Sequence, residues 1–288
     1  MKNNAPIGIF DSGFGGMTVA VELTRLMPNE SFIYVGDSQH FPYGTKSLEE
    51  VKSYGLKICN WLVSQGAKMI IIACNTSSVA TLKVAQDQMS VPVIGVVKPG
   101  ARAAVSRTAN ERIGVLATDA TVSAGAYEQA IHKFNPDAKV HQVAAPKLVD
   151  MAENGIAHVM DKMGESYDIK KSLSEFSEIF SHENMAIAQE YCVPLLEHKV
   201  DTVIMGCTHF ALLKPILNAA FGQSVMLVSS SRETVKDARM ILELNDLLAD
   251  GESERKFYTT GNNVQKYKEF GAFIFGEPLS NVDKLCEF

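Results

Sequence analysis

The chain predicts an α/β fold of two pseudo-symmetric domains, each a mainly parallel sheet flanked by helices, with a cleft between them. Three observations carry this. Short β-rich apolar runs alternate with longer helical stretches, the pattern of parallel strands joined by crossover helices. The opening run Ile7-Gly8-Ile9-Phe10-Asp11-Ser12 is echoed by Ile113-Gly114-Val115-Leu116-Ala117-Thr118. A second pair of copies, Met69-Ile70-Ile71-Ile72-Ala73-Cys74-Asn75-Thr76 and Thr202-Val203-Ile204-Met205-Gly206-Cys207-Thr208-His209, sets a cysteine at the end of an apolar run in each half.

In chain order, strands are predicted at Ile7–Phe10, Phe32–Val35, Met69–Ala73, Val93–Val96, Ile113–Ala117, Val140–Val143, Thr202–Gly206 and Met226–Val228. Each is a short run rich in β-branched and aromatic residues, apolar enough to be buried on both faces. Helices are predicted over Thr18 to Leu26, Leu48 to Gln65 and Ser78 to Gln88, the last with Val79, Leu82, Val84 and Ala85 near helical spacing. Ser47 followed by Glu50 reads as a capping box that starts the second helix. The span from Ile113 to Cys207 exceeds that from Ile7 to Cys74, and the excess sits around Met160 to Gln189. There Ile169, Leu173, Phe176 and Phe180 form one apolar stripe, that of a surface helix packing on its own domain. The division expected is residues 1–97 with 230–288 in one domain and 98–229 in the other, with the insertion near 160–189.

Composition narrows the function. The chain has 288 residues, 46% hydrophobic and 21% charged, in the range of globular proteins. Its apolar runs fall far short of the roughly 20 residues that span a bilayer, so no membrane partner is expected. No basic-then-apolar leader opens the sequence, which argues for the cytoplasm. The formal charge of −6 and the absence of long basic clusters make nucleic acid a poor partner. Five scattered cysteines, Cys59, Cys74, Cys192, Cys207 and Cys286, are neither a disulfide framework nor at metal-motif spacing.

The chemistry-bearing segments lie at strand ends, where open α/β sheets place ligands. Asp11-Ser12-Gly13-Phe14-Gly15-Gly16 is a glycine-rich strand-to-helix turn. It lacks the spacing of a nucleotide fingerprint, and a carboxylate ligand or a purely structural turn both fit it. Asp11, at the strand end, faces the cleft. The loop Gly36 to Ser47, containing Tyr43 and Gly44, covers or lines a site, or only caps a helix. Cys74 and Cys207 are the sharpest features. A lone cysteine is usually an inert hydrophobe, but each of these precedes polar residues where a helix begins, and backbone N–H groups there favour the thiolate. On the residues alone, the inert and reactive readings both stand. Cys59, Cys192 and Cys286 lack that setting and read as structural. His209 has no ligand partner at metal spacing, so a polariser of the neighbouring thiol is the better reading. Glu153 by itself is an ordinary helix-end acid.

With these motifs in view, the chain resembles the glutamate racemases of the cofactor-independent aspartate/glutamate racemase superfamily. The resemblance runs nearly end to end: Gly8 to Gly16, Pro42-Tyr43-Gly44-Thr45-Lys46, Ala73-Cys74-Asn75-Thr76, Pro92 to Val96, Thr118 to Thr121, Gly206-Cys207-Thr208-His209 and Phe257-Tyr258-Thr259-Thr260-Gly261. It implies a site between two domains, no cofactor, no metal, glutamate as substrate and a role in supplying D-glutamate for peptidoglycan; such enzymes often form homodimers. It makes Cys74 and Cys207 the acid/base pair. Asp11, Ser12, Tyr43, Gly44, Asn75, Thr76, Thr208 and His209 then bind substrate or tune the thiols, Glu153 is the acid near the second cysteine, and Thr118 and Thr121 contact a substrate carboxylate. Three departures stand out. Ala145 replaces a usual cysteine, Ser229-Ser230-Ser231 replaces an Asp-Ser-Gly element, and the stretch from Met160 to Gln189 is long. An aspartate racemase or other carbon-acid enzyme, an amino-acid sensor and a thiol redox protein remain as alternatives.

Overall fold

The structure, a computed structural model, describes residues 3–163 and 182–286. Two wholly parallel sheets form the frame. Six strands, β1 (Ile7–Asp11), β2 (Phe32–Gly36), β3 (Met69–Ile72), β4 (Val93–Gly95), β9 (Arg255–Thr259) and β10 (Val282–Lys284), lie in the order β10-β9-β2-β1-β3-β4. Four more, β5 (Arg112–Ala117), β6 (Lys139–Ala144), β7 (Thr202–Gly206) and β8 (Met226–Ser229), lie in the order β6-β5-β7-β8. The helices between them are α1 (Met17–Leu26), α2 (Leu48–Ser64), α3 (Asn75–Gln88), α4 (Val97–Val105), α5 (Asp119–Ser123), α6 (Ala126–His132), α7 (Lys147–Met163), α8 (His182–Glu197), α9 (Lys214–Phe221), α10 (Ser230–Leu244) and α11 (Val264–Phe275).

All eight expected strands form. In both copies the opening strand lies beside the strand that leads to the cysteine. β1 pairs with β3 (Phe10 beside Ile72), and β5 pairs with β7 (Ala117 beside Gly206). Strand alternation sends the two faces of each sheet to different cores. Ile7 and Ile9 pack with α1 residues Val19, Ala20 and Leu23, while Phe10 packs with Ile58 and Leu62 of α2. In the second sheet Ile113, Val115 and Ala117 meet Tyr127 and Ile131 of α6, and Leu116 faces the other way. The full burial of β1, β3 and β7 accounts for their near-continuous apolar sequence.

Several elements depart from the expectation. β9 and β10 complete the larger sheet but carry adjacent charged residues (Arg255-Lys256 and Asp283-Lys284) and are only partly buried, so no apolar run marks them. Helix α3 starts at Asn75 rather than Ser78, because the Cys74 sulfur accepts the Ser77 N–H at 3.4 Å and so caps the helix. The capping box at Ser47 forms as expected: Ser47 Oγ accepts the Glu50 N–H, and Glu50 Oε2 accepts the Ser47 N–H. Ser229 caps α10 by accepting the Ser231 N–H, and the Ser231 hydroxyl meets Thr18 of α1 at 3.2 Å. Helix α10 packs on both α1 and α4, which ties together the flanks of the two sheets. The stripe Ile169, Leu173, Phe176 and Phe180, and most of the expected insertion, lie outside the described residues. No described helix is long and apolar enough to cross a membrane.

Candidate active site

The parallel strands bring Cys74 and Cys207 to the walls of one cleft. Each cysteine follows a strand adjacent to its sheet's opening strand, and each is followed by a helical turn: α3 after Cys74, and a 3₁₀ turn (Thr208–Ala211) after Cys207. The cleft is lined from one side by Ser12, Tyr43, Gly44, Cys74, Asn75 and Thr76, and from the other by Thr118, Cys207, Thr208 and His209. The cavity measures about 100 Å³. One water needs about 10–15 Å³ on that scale, so a solute of roughly ten heavy atoms fits.

The two thiols have different neighbours. Cys74 accepts the Ser77 N–H and lies 4.0 Å from the Ser12 hydroxyl. The helix start was expected to favour a thiolate here. Burial outweighs it, and with the Asp11 carboxylate close by, the Cys74 thiol is pushed well above its ordinary value. Cys207 instead faces an imidazole, with His209 Nδ1 3.8 Å from its sulfur. On the other side of that ring, Glu153 Oε1 lies 3.5 Å from Nε2, an ion-pair distance. Burial alone would lower the His209 pKa. The Cys207 sulfur, Glu153 and Asp11 together reverse this and raise it to about 10. The ring is held edge-on by Phe14, with centroids 5.4 Å apart. Gly15 permits the approach: a Cβ there would stand 2.8 Å from His209 Nδ1 and 2.7 Å from Thr208 Oγ1.

Asp11 is fully buried behind the cleft. Its Oδ2 accepts the N–H groups of Gly13 and Gly16, and its Oδ1 accepts the Thr208 hydroxyl at 3.4 Å. Burial raises its pKa, against the pull of His209 and the backbone donors. Thr76, Thr118 and Thr121 form a ring of hydroxyls, with Thr118 3.0 Å from each of the other two. Thr121 therefore stands behind Thr118 rather than on the cleft wall. Glu153 likewise stands behind His209, and it lines an adjoining hollow with Phe14 and Lys266.

Phe41, Pro42 and Thr45, in the loop read as covering or lining a site, also line the cleft, as does Asp119 between Thr118 and Thr121; Pro146, Val149 and Asp150 are lining residues that the sequence reading did not pick out. Asp150 precedes Glu153 by one helical turn, so helical periodicity on α7 was the available signal. Asp37 is a hidden support. It receives the hydroxyls of Tyr43 and Thr260 and pairs with His40 Nδ1. Burial, and then Asp37, push the Tyr43 phenol far up, so it stays a neutral donor. Cys59 and Cys192 are core residues whose thiols burial raises to about 12. Among the described residues, no group of three or more His, Cys, Asp or Glu side chains is placed to hold a metal ion.

Comparison with known proteins shows the family. The chain is 40% identical over 286 residues to a glutamate racemase of Corynebacterium diphtheriae, covering 99% of both chains. Its fold matches the crystal structure of a glutamate racemase isoform from Bacillus anthracis with a TM-score of 0.87 at 34% identity, covering 98% of each chain. The glutamate racemase of Francisella tularensis, solved in complex with D-glutamate, matches with a TM-score of 0.83 at 30% identity over 98% of this chain and 97% of that one. The family model for Asp/Glu/Hydantoin racemase matches residues 17–238. The chain therefore belongs to the Asp/Glu/hydantoin racemase family and is an isomerase.

Proposed function

We propose that this enzyme interconverts L- and D-glutamate by moving the α-proton between Cys74 and Cys207. The carrying observation is the placement of both thiols on one cleft of amino-acid size, with unlike neighbours. Glutamate as substrate is supported by the relatives above, and by the D-glutamate complex of the Francisella enzyme. We read residues 1–97 with 230–288 as one domain and 98–229 as the other, with the substrate held where they meet.

The α-proton of an amino acid is a very weak acid, so a base must meet it in place and a donor must stand on the opposite face. One cysteine, as thiolate, takes the proton. The other, as thiol, gives one to the far face of the planar carbanion, and the centre inverts. Reversal exchanges the roles. The resting arrangement is read from the neighbours. Cys74, buried beside Asp11, rests as the thiol, and Cys207 has the protonated His209 for its neighbour. Charge developing on the carboxylate oxygens meets neutral donors from Ser12, Asn75, Thr76, Thr118 and Thr208. Closure of the two domains excludes water from the cleft. The product, D-glutamate, serves peptidoglycan synthesis, and the reaction takes place in the cytoplasm, where free thiols stay reduced.

The test is turnover of L-glutamate in deuterated water with no added cofactor, read by chiral separation and NMR. D-glutamate carrying deuterium at Cα is expected, with much slower turnover of L-aspartate. Cys74→Ser and Cys207→Ser should each lower racemisation by more than the ~10²-fold typical of a lost general acid or base. Near-full activity in either variant would sink the two-thiol reading.

A further inference from the structure

Tyr127 has no place in the proton transfer described above, yet it touches both thiol-bearing junctions. It sits on α6, fully buried, and its phenol donates to Asn75 Oδ1 at 2.6 Å. Asn75 is the first residue of α3, directly after Cys74, and lines the cleft. On its other side the Tyr127 ring lies against the glycine that precedes Cys207. A Cβ at Gly206 would stand 2.9 Å from Tyr127 Cε2, and one at Gly100 would stand 3.5 Å from Cε1. The ring is thereby wedged between β7 and α4, and the hydroxyl has one direction in which to point.

The consequence falls on the Asn75 amide. A carboxamide can present either its oxygen or its nitrogen, and only its hydrogen bonds decide which. With Oδ1 taken by Tyr127, the nitrogen is the atom left. Nδ2 is buried and has no acceptor among the described residues. A buried N–H₂ without a partner is costly unless a ligand supplies one. The group that fits is an anionic oxygen, such as a substrate carboxylate, whose charge grows when the α-proton leaves. The Ser230 hydroxyl also reaches the Tyr127 oxygen, which orders the relay from α10 through Tyr127 to Asn75.

We propose that Tyr127 is a positioning residue: by occupying the Asn75 amide oxygen from its buried place on α6, it leaves Asn75 Nδ2 as a preset donor to the substrate carboxylate. The pairing joins α6, beside the four-stranded sheet, to α3, beside the six-stranded one. The donor is therefore in place only when the two halves are correctly seated. This assignment rests on the proposed racemisation for its substrate and its kinetic readout, and on the Tyr127–Asn75 bond for the pairing itself.

The test is a double-mutant cycle with Tyr127→Phe, which keeps the ring and removes only the hydroxyl, and Asn75→Ala. Tyr127→Phe should lower kcat/KM for glutamate about tenfold, and adding it to Asn75→Ala should cost nothing further. Wild-type kcat/KM in Tyr127→Phe, or losses that multiply in the double variant, would overturn the proposal. A second measurement does not depend on turnover. The ¹⁵N side-chain amide signal of Asn75, identified by its disappearance in Asn75→Ala, should be sharp with slow hydrogen exchange in the wild type and exchange faster in Tyr127→Phe. An unchanged signal overturns the positioning role. An absence of wild-type racemisation alongside a changed signal instead overturns the substrate reading and keeps the Tyr127–Asn75 pairing.

Discussion

His209 Nδ1 lies 3.8 Å from the sulfur of Cys207, whereas the Cys74 sulfur meets the Ser12 hydroxyl and the Ser77 N–H. The duplicated strands supply two thiols on one cleft, and this imidazole makes them unequal. Its pKa is raised from 6.5 to about 10, so at neutral pH it places a cation beside one thiol only. The other thiol has a buried carboxylate for a neighbour.

That raised value has a measurable consequence for stability. A group whose folded pKa exceeds its unfolded one stabilises the fold fully below the unfolded value and loses that contribution as pH rises through the folded one. The His209 contribution should therefore be whole near pH 6.5 and fade toward pH 10. Urea midpoints of wild type and His209→Asn, taken from pH 6 to pH 10, should differ most at the acid end and converge at the alkaline end. Activity of His209→Asn should fall throughout. A gap between the two proteins that does not change with pH would mean His209 is neutral when folded.

Asp11 carries the opposite sign. Burial raises its pKa above the ordinary 3.8, so its charge opposes folding at every pH above its folded pKa. The stability it allows is greatest below pH 3.8 and lost as pH rises through the folded value. Asp11→Asn, which keeps an oxygen for the Gly13 and Gly16 N–H groups, should be more stable than wild type at pH 7 and less active. The stability gain should shrink as pH falls toward 4. A variant both less stable and less active at pH 7 would show that the carboxylate is held there by more than those donors.

The sequence exposed these features unevenly, for physical reasons. Strands buried on both faces, such as Ile7–Asp11 and Thr202–Gly206, must be apolar throughout, so they are visible. Arg255–Thr259 opens with two charged residues and Val282–Lys284 is an exposed edge; β9 is held by ladder bonds to β2, far away in sequence, and β10 by bonds to β9, which no local pattern records. Asn75 to Ser78 reads as a polar junction because such residues are usually exposed, yet here they are a buried first helical turn capped by a thiol. The cysteines stood out because the chain repeats their setting. Asp150 did not, since its neighbours Leu148, Val149, Met151 and Ala152 mark α7 as a core helix. Tyr127 reads as a core aromatic until its partner Asn75 is brought across from the other half.

Gly44 shows how closely the halves approach. It lies in the 3₁₀ turn Tyr43–Thr45, and a Cβ there would meet Thr118 Cβ at 2.8 Å and Cγ2 at 2.9 Å. Thr118 cannot retreat freely, because its hydroxyl is bonded to Thr76 and Thr121. Gly44→Ala should cost about 1–3 kcal/mol of stability by overpacking and raise KM through displacement of the hydroxyl ring. Adding Thr118→Ser removes one of the two clashing atoms and should recover part of both effects. If Gly44→Ala leaves KM and the melting temperature unchanged, the turn and Thr118 are not packed as described.

The last prediction concerns the return of the chain to the six-stranded sheet after α10. Lys68 and Glu30 form an ion pair at 2.7 Å with both side chains 2% exposed. Lys68 Nζ also donates to the carbonyls of Asn3 and Leu247, and Glu30 Oε1 accepts the Ala249 N–H. The pair thus fastens the linker between α10 and β9 to the strand entrances of the large sheet. Removing one partner leaves the other charge buried and uncompensated, which costs about 3–5 kcal/mol, whereas replacing both with apolar residues is often close to neutral. Lys68→Met should therefore destabilise strongly, and Lys68→Met with Glu30→Leu should recover most of the loss, as read from urea midpoints at pH 7. The residue the double variant fails to recover measures the backbone bonds to Leu247 and Ala249. If that deficit equals the single-variant loss, the linker is held by those bonds and the charges contribute nothing.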